Sequence, residues 1–393
     1  MRRIVRAMKA MVVLVLVSLA VLGWVPPAGA QEAPTFPTVP PPPSLEAQSA
    51  LLLDVATGTV LYAKDPDSPM PPASLTKLMT MFLALDDLQA GKIRLDERVP
   101  VTPEAYRLAR DPSISRMFLQ PDLPVTVEEI FYGIMVSSGN DAAVALAQFL
   151  AGGSESAFVQ RMNEKAQALG MARTRFGDSS GLAKEDQTTA ADMARLSREL
   201  LLQHPEILKY SSTQKFKYNI DYEQPNYNTL LFRDRRVDGL KTGHIGGYYH
   251  LVATAKEGDF RLLAVVMGAK GAAQRADEAQ ALLDWGFRHF QRWTYQETVT
   301  LPVYKGRQRQ VAIPVTLEAV APREGEPQVE VTLPSYLVAP LPKGTQVGTV
   351  EARWDGTALQ APILLPGDLE RGSFFRVLWD SLRLTLARVF DRS

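Results

Sequence analysis

Apolar and polar residues alternate along the chain in patterns that change character several times. Ala50–Val55 and Thr59–Ala63 are short apolar-rich runs joined across Ala56-Thr57-Gly58, a spacing that predicts a β-hairpin. Leu75, Leu78, Met79, Phe82, Leu83 and Leu88 then recur at helical spacing and predict a strong amphipathic helix from Leu75 to about Leu88. Val125–Val136 and Ala142–Ala151 read as two helices interrupted by Ser137-Ser138-Gly139-Asn140, and helical periodicity continues through Phe158–Leu169 and Ala190–Leu202. Strand patterns return at Val237–Lys241, Tyr249–Ala255 and Arg261–Met267, followed by a helix over Ala276–Arg292. Two strands, an all-helical middle, more strands and a closing helix predict an α+β sandwich whose sheet is discontinuous in sequence. From Glu297 onward the texture becomes short strand-like runs (Val299–Val303, Gln310–Pro314, Gln328–Leu333, Val347–Ala352) broken by Gly and Pro turns. This is a small all-β domain over 297–366.

The two ends carry different signals. Arg2, Arg3, Arg6 and Lys9 precede an apolar run from Met11 to Val25, which closes on Ala28-Gly29-Ala30. That order is expected of a secretory signal peptide over residues 1–30. An uncleaved anchor is the alternative, although an apolar core this short is poorly matched to a membrane span. Six prolines between Pro34 and Pro43 predict an extended spacer over 31–46 ahead of the folded body at 47–293. At the far end Phe374, Phe375, Leu378, Leu382, Leu386, Val389 and Phe390 share one helical stripe, with Arg376, Asp380, Arg383 and Arg388 largely opposite. An amphipathic helix over 370–393 with cationic flanks suits shallow insertion at a membrane surface; docking on its own domain or a second subunit is the alternative.

Composition sharpens this picture. Lys+Arg and Asp+Glu are equal at 43 each, so nothing points to nucleic acid. Loss of the first 30 residues would remove four basic groups and no acidic ones, leaving a mildly acidic exported body. Cysteine is absent, which excludes thiol catalysis and zinc–thiolate sites, and four histidines without an HExxH pattern argue against a metal centre.

Three short motifs carry candidate chemistry. Ser74-Leu75-Thr76-Lys77 opens the first helix, where positions i and i+3 share a face and the amine can reach the hydroxyl. A serine needs a base to become nucleophilic, and a buried lysine with a depressed pKa can supply one. Ser138-Gly139-Asn140 lies in a break between helices, where the hydroxyl can relay a proton and the amide can hold a substrate carbonyl. Lys241-Thr242-Gly243 ends a strand and offers positive charge, a hydroxyl for a carboxylate and room for a peptide backbone. Each motif alone is weak. Ser212-Thr213-Gln214-Lys215 repeats the first by chance, in a polar segment with no helical stripe.

Their order and spacing together are those of the penicillin-recognising serine acyltransferases. With Leu53-Asp54-Val55-Ala56-Thr57-Gly58, Pro72–Thr80, Ser138–Ala142 and Asp238–His244, the stretch from Leu51 to Phe290 closely resembles the D-alanyl-D-alanine carboxypeptidases among the low-molecular-mass penicillin-binding proteins, peptidase family S11. The resemblance implies a β-lactamase/transpeptidase-like domain, an antiparallel sheet with an all-helical subdomain, and a β-rich C-terminal domain. It also implies a cofactor-free hydrolase in which Ser74 attacks the penultimate D-alanine carbonyl of a peptidoglycan stem peptide, Lys77 acts as base, and Ser138 and Lys241 assist proton movement. Asn140 would hold the peptide, and backbone N–H groups of Ser74 and His244 would form the oxyanion hole. Thr242, Gly243 and Arg275 would receive the substrate's terminal end. β-Lactams would react covalently at the same serine.

The chain departs from the family pattern at Glu223, where a basic residue is common, and in a short loop at Ile245-Gly246-Gly247. Class A β-lactamases share the motifs but need a glutamate-bearing loop, and Gly177–Leu182 has none. A D,D-endopeptidase and a non-turnover wall-binding or β-lactam-sensing protein are the other readings. The expected location is the periplasmic face of the bacterial inner membrane, reached by export and held peripherally.

Overall fold

A computed structural model describes residues 39–354 and 357–390, with side chains of 387–390 left undescribed. The expected signal peptide and the first half of the proline-rich spacer lie outside these residues. The chain divides into two compact units, one reaching from Pro41 to His289 and the other starting at Phe290.

The first unit begins with the hairpin β1 (Ser49–Asp54) and β2 (Val60–Lys64). A single 3-10 turn, Ala73–Thr76, leads directly into α1 (Lys77–Gln89). The helix is apolar nearly all round, and Leu78, Met79, Met81, Phe82 and Leu85 are all buried, as expected of a helix at the centre of a bundle. Around it follow β3 (Arg98–Val99), α2 (Pro103–Ala109), β4 (Val125–Thr126), α3 (Val127–Met135), α4 (Asn140–Leu150), α5 (Glu155–Ala168), α6 (Ala190–Gln203) and α7 (Ile207–Ser211). Several starts are written in the sequence. Thr126 and Glu129 form a reciprocal capping box on α3, and the hydroxyls of Thr102, Ser154 and Thr189 cap α2, α5 and α6.

After the short pair β5 (Lys215–Phe216) and β6 (Gln224–Pro225), three long strands complete the unit's sheet: β7 (Val237–Ile245), β8 (Tyr248–Glu257) and β9 (Phe260–Ala269). The order is β2-β1-β9-β8-β7, antiparallel throughout. The sheet is therefore discontinuous in sequence, as the pattern of elements predicted. Side chains alternate across it. Leu51, Leu53, Leu263, Val265 and Met267 join the helical core with α1 and α6. Leu52 and Leu262 point the other way, toward Gly286 of α8 (Ala272–His289), where a Cβ would lie 2.6 Å from Leu262.

The second unit holds β10 (Phe290–Tyr304), β11 (Gln310–Pro322), β12 (Gln328–Thr332), β13 (Leu337–Val338), β14 (Gln346–Trp354), β15 (Thr357–Leu364) and α9 (Phe374–Phe390). Its two sheets have the orders β11-β10-β13 and β12-β14-β15. The unit starts several residues before the expected 297, because helical spacing stops at His289 and Phe290 already pairs with Pro322. The helix expected to run to Arg292 ends there for the same reason. Strand β15 escaped the sequence pattern, since Pro362 interrupts it.

Helix α9 docks in an unusual sense. Within its unit the Lys305 N–H donates to Asp380 at 2.6 Å, and the Arg376 guanidinium donates to the Val303 carbonyl at 3.2 Å. Asp380 is only 7% exposed, whereas Phe375 is 80% and Trp379 57% exposed. Arg376 and Asp380 are turned inward, while the apolar residues and Arg383 face outward. Sequence spacing identified both faces but not which of them would be covered.

Candidate active site

Three segments meet around one amine. The Lys77 Nζ lies 3.0 Å from Ser74 Oγ and donates to Asn140 Oδ1 at 2.8 Å and to the Ser180 carbonyl at 2.6 Å. Lys77 is fully buried, and burial lowers its pKa to about 7; Asp178, Asp141 and Asp186 oppose that shift. The two carbonyl-type acceptors match the two hydrogens of a neutral amine, which leaves its lone pair for the Ser74 hydroxyl.

The second lysine sits beyond Ser138. Lys241 Nζ donates to Ser138 Oγ at 2.9 Å and to the Thr242 carbonyl at 3.1 Å. Burial holds its pKa well below the usual lysine value, and repulsion from Lys77 and Arg275 adds to the effect. The structure thus brings together Ser74, Lys77, Ser138, Asn140 and Lys241. Ser138 (φ 54°) and Ala73, just before Ser74 (φ 49°), both occupy the left-handed region. Non-glycine residues persist there only where the surroundings over-determine them, and active sites are where such strain collects.

Strand β7 delivers the third motif against the serine turn. A Cβ on Gly243 would lie 2.9 Å from the Pro72 carbonyl, so only glycine allows this approach, which sets His244 next in line beside Ser74. The His244 side chain stands near the end of β7. It is exposed and stacks on Tyr249 with ring centroids 4.2 Å apart. Gly246 and Gly247 (φ 56° and 84°) close β7 onto β8 in a two-residue turn, which accounts for the short loop. Thr242 is buried in the strand. Arg275 comes from α8 and donates to the carbonyls of Gly243 (3.0 Å), His250 (3.4 Å) and Tyr227 (3.3 Å). Burial lowers its pKa to about 10, and its guanidinium lies 5.5 Å from the Tyr249 ring centroid. It supports the strand end from behind and places positive charge there.

Sequence reading missed the loop that covers Lys77. Asp178 accepts from the backbone N–H groups of Ser180 (2.8 Å), Gly181 and Leu182 (2.9 Å), a turn that points the Ser180 carbonyl at Lys77. Thr80, one turn along α1 from Lys77, donates to the neighbouring Ser179 carbonyl at 2.7 Å. Gly181 (φ 90°) packs so tightly that a Cβ would overlap the Ala73 carbonyl at 1.9 Å. Asp186 ends the loop, accepting from the Gly177 N–H at 2.6 Å. Burial raises its pKa to about 7, and its Oδ2 is buried without a partner among the described residues. Asp141 anchors the other side, accepting from Met117 (2.8 Å) and Leu119 (3.1 Å); burial raises its pKa. A polar cluster, Asp178-Ser179-Ser180-Gly181, was the available signal, but nothing in its spacing named its target.

The chance motif is elsewhere and differently built. Ser212 is exposed, and Lys215 is an exposed residue 3.5 Å from Glu223, the acid that departs from the family pattern.

A buried lysine beside a serine, a second serine–lysine pair and an edge strand carrying Lys241-Thr242-Gly243, on an antiparallel sheet with an all-helical subdomain, define a penicillin-recognising serine acyl-transferring enzyme. The D-alanyl-D-alanine carboxypeptidase family model, Peptidase_S11, matches residues 36–271. The chain is 37% identical over 365 residues to the D-alanyl-D-alanine carboxypeptidase DacC of Escherichia coli K12, covering 88% of this chain and 90% of that protein. It is 35% identical over 350 residues to DacF of Bacillus subtilis 168, covering 85% and 88%. The solved penicillin-binding protein 5 of Haemophilus influenzae superposes with a TM-score of 0.78 at 34% identity, over 84% of this chain and 99% of that one. The chain belongs to the D-alanyl-D-alanine carboxypeptidase family.

Proposed function

We propose that this serine-type D-Ala-D-Ala carboxypeptidase removes the terminal D-alanine from peptidoglycan stem pentapeptides through an acyl-enzyme on Ser74, and that β-lactams acylate the same serine. The carrying observation is the fully buried Lys77 amine, 3.0 Å from Ser74 Oγ with its pKa lowered to about 7. Neutral Lys77 takes the Ser74 proton as Oγ attacks the carbonyl of the penultimate D-alanine. Backbone N–H groups of Ser74 and His244 receive the developing oxyanion. The C–N bond to the terminal D-alanine then breaks, and its nitrogen receives a proton passed from Lys77 with help from Ser138 and Lys241. Water attacks the resulting ester, gives its proton to Lys77, and regenerates Ser74 with release of the shortened peptide. Asn140 borders the acyl side. Thr242 and the positive charge of Lys241 and Arg275 favour the free carboxylate of the leaving D-alanine.

The test is D-alanine release from a pentapeptide ending in D-Ala-D-Ala, for the wild type and Ser74→Ala. No release by the wild type would overturn the carboxypeptidase reading, and release by Ser74→Ala would overturn the nucleophile. A cross-linked peptide dimer in the same assay separates endopeptidase from carboxypeptidase activity.

We also infer that the protein is exported and held at the periplasmic face of the inner membrane by α9. In support, residues 1–30 have the order of a signal peptide, and the exposed face of α9 carries Phe374, Phe375, Leu378, Trp379 and Leu382. Truncation after about Leu365 should release the protein from membranes with catalysis intact. Full retention of the truncated form in the membrane fraction would refute the anchor.

A further inference from the structure

The loop that holds Asn140 from outside has a second face. The Ser115 carbonyl accepts from both the backbone N–H (3.0 Å) and the side-chain amide (2.8 Å) of Asn140, while the N–H groups of Met117 and Leu119 go to Asp141. Backbone groups of Ser115, Met117 and Leu119 therefore face α4. On the other side Arg116, Phe118, Leu119 and Gln120 line a cavity of about 310 Å³ together with Tyr106, Ala109 and Arg110 of the α2 end. The opposite side of the loop is fixed too. Gln224 donates to the Arg116 carbonyl at 3.0 Å, and Asn219 donates to the Phe118 carbonyl at 3.2 Å. Phe118 is held at φ 70°, a backbone cost that the surrounding bonds sustain.

Both guanidinium groups in this cavity lie over aromatic rings, Arg116 at 4.7 Å from the Phe118 centroid and Arg110 at 5.8 Å from that of Tyr106. Among the described residues neither is within ion-pair distance of a carboxylate. Asp111, whose charge reaches Arg116, has its Oδ1 occupied by the N–H (2.9 Å) and hydroxyl (2.6 Å) of Ser113. Two arginines stacked on aromatic faces, with no carboxylate at ion-pair distance among the described residues, suit a carboxylate carried on an aliphatic stem.

We propose that this cavity is a specificity subsite for a free carboxylate on the acyl side of the scissile bond. The assignment rests on the carboxypeptidase reading. The terminal D-alanine is directed toward Thr242 and Arg275, so upstream residues leave past Asn140, and Ser115 and Arg116 come next. A stem peptide offers such a group where a glutamate is joined through its side chain and keeps its α-carboxylate.

Two pentapeptides identical except that upstream carboxylates are free in one and amidated in the other provide the test. The wild type should favour the free-carboxylate peptide by about tenfold in kcat/KM, chiefly through KM. Arg110→Gln with Arg116→Gln should bring the ratio near one, and Arg116→Glu should invert it. Acylation of Ser74 by labelled penicillin, whose carboxylate lies on the other side of the reacting bond, certifies that each variant is folded before its ratio is read. A wild type that cleaves both peptides equally, or a double variant that keeps the preference, would overturn the subsite while leaving the carboxypeptidase reading standing. Failure of the wild type on both peptides would overturn the reading on which the subsite depends.

Discussion

Two Ser-x-x-Lys segments occur in this chain, and only one is built as a catalytic pair. Ser74 and Lys77 lie at the start of a buried helix, where the amine has a hydroxyl, an amide oxygen and a peptide carbonyl around it. Ser212 and Lys215 lie on the surface, and the lysine's partner is an exposed glutamate. Burial among neutral acceptors makes the neutral form of Lys77 accessible near pH 7. The four-residue spacing is necessary for the chemistry and carries little of it. The remainder comes from a loop a hundred residues further along the chain.

This contrast can be broken by mutation. Ser74→Ala should abolish D-alanine release and penicillin labelling, with a loss of about 10⁴-fold or more, while Ser212→Ala changes turnover by less than about twofold. Lys77→Ala should cost about 10³-fold in kcat/KM, and Lys215→Ala nothing measurable in the same assay. Comparable losses at the two sites would show that burial does not distinguish them.

The next effect is smaller and more diagnostic. Asp178 both shapes the Ser180 turn and raises the Lys77 pKa. In the wild type kcat/KM should rise about tenfold per pH unit on the acid side and level off above about pH 7, as Lys77 becomes neutral. Asp178→Asn keeps an acceptor oxygen but removes the charge. It should lower kcat/KM about tenfold at pH 8 and move the acid limb to lower pH. An unmoved limb would mean that another group controls it.

The smallest effect concerns stability. Asp186 has its pKa raised from 3.8 to about 7 in the folded protein, so between those values the folded state holds the proton more tightly. Its contribution is then present at low pH and is lost as pH rises through about 7. Asp186→Asn should raise the melting temperature by about 2–4 °C at pH 8 and leave it unchanged near pH 3. Equal shifts at both values would assign the effect to packing rather than to ionisation.

Much of this was legible in the sequence. Strands and helices with strong periodicity were placed within a few residues, and the three motifs fell where chemistry requires them. The loop from Gly177 to Asp186 was not legible, because its partners are a helix a hundred residues earlier and its contacts run through backbone groups that any residue type supplies. Asp178 and Gly181 look like ordinary turn residues until Lys77 and Ala73 are beside them. Arg275 was readable as a positive charge at the strand end, yet its bonds to three backbone carbonyls depend on how α8 crosses β7 and β8. The amphipathic pattern of α9 specified its two faces; Asp380 and Arg376 hold one of them against the unit while the apolar one stays exposed.

The pairing of β1 with β9 has a consequence for how the molecule is made. Leu51 finds Val265 opposite it only after roughly two hundred intervening residues have been added. A growing chain therefore carries an apolar first strand, with one edge open, through most of its synthesis. The sheet closes only once β9 has been made, and α8 packs on it after that.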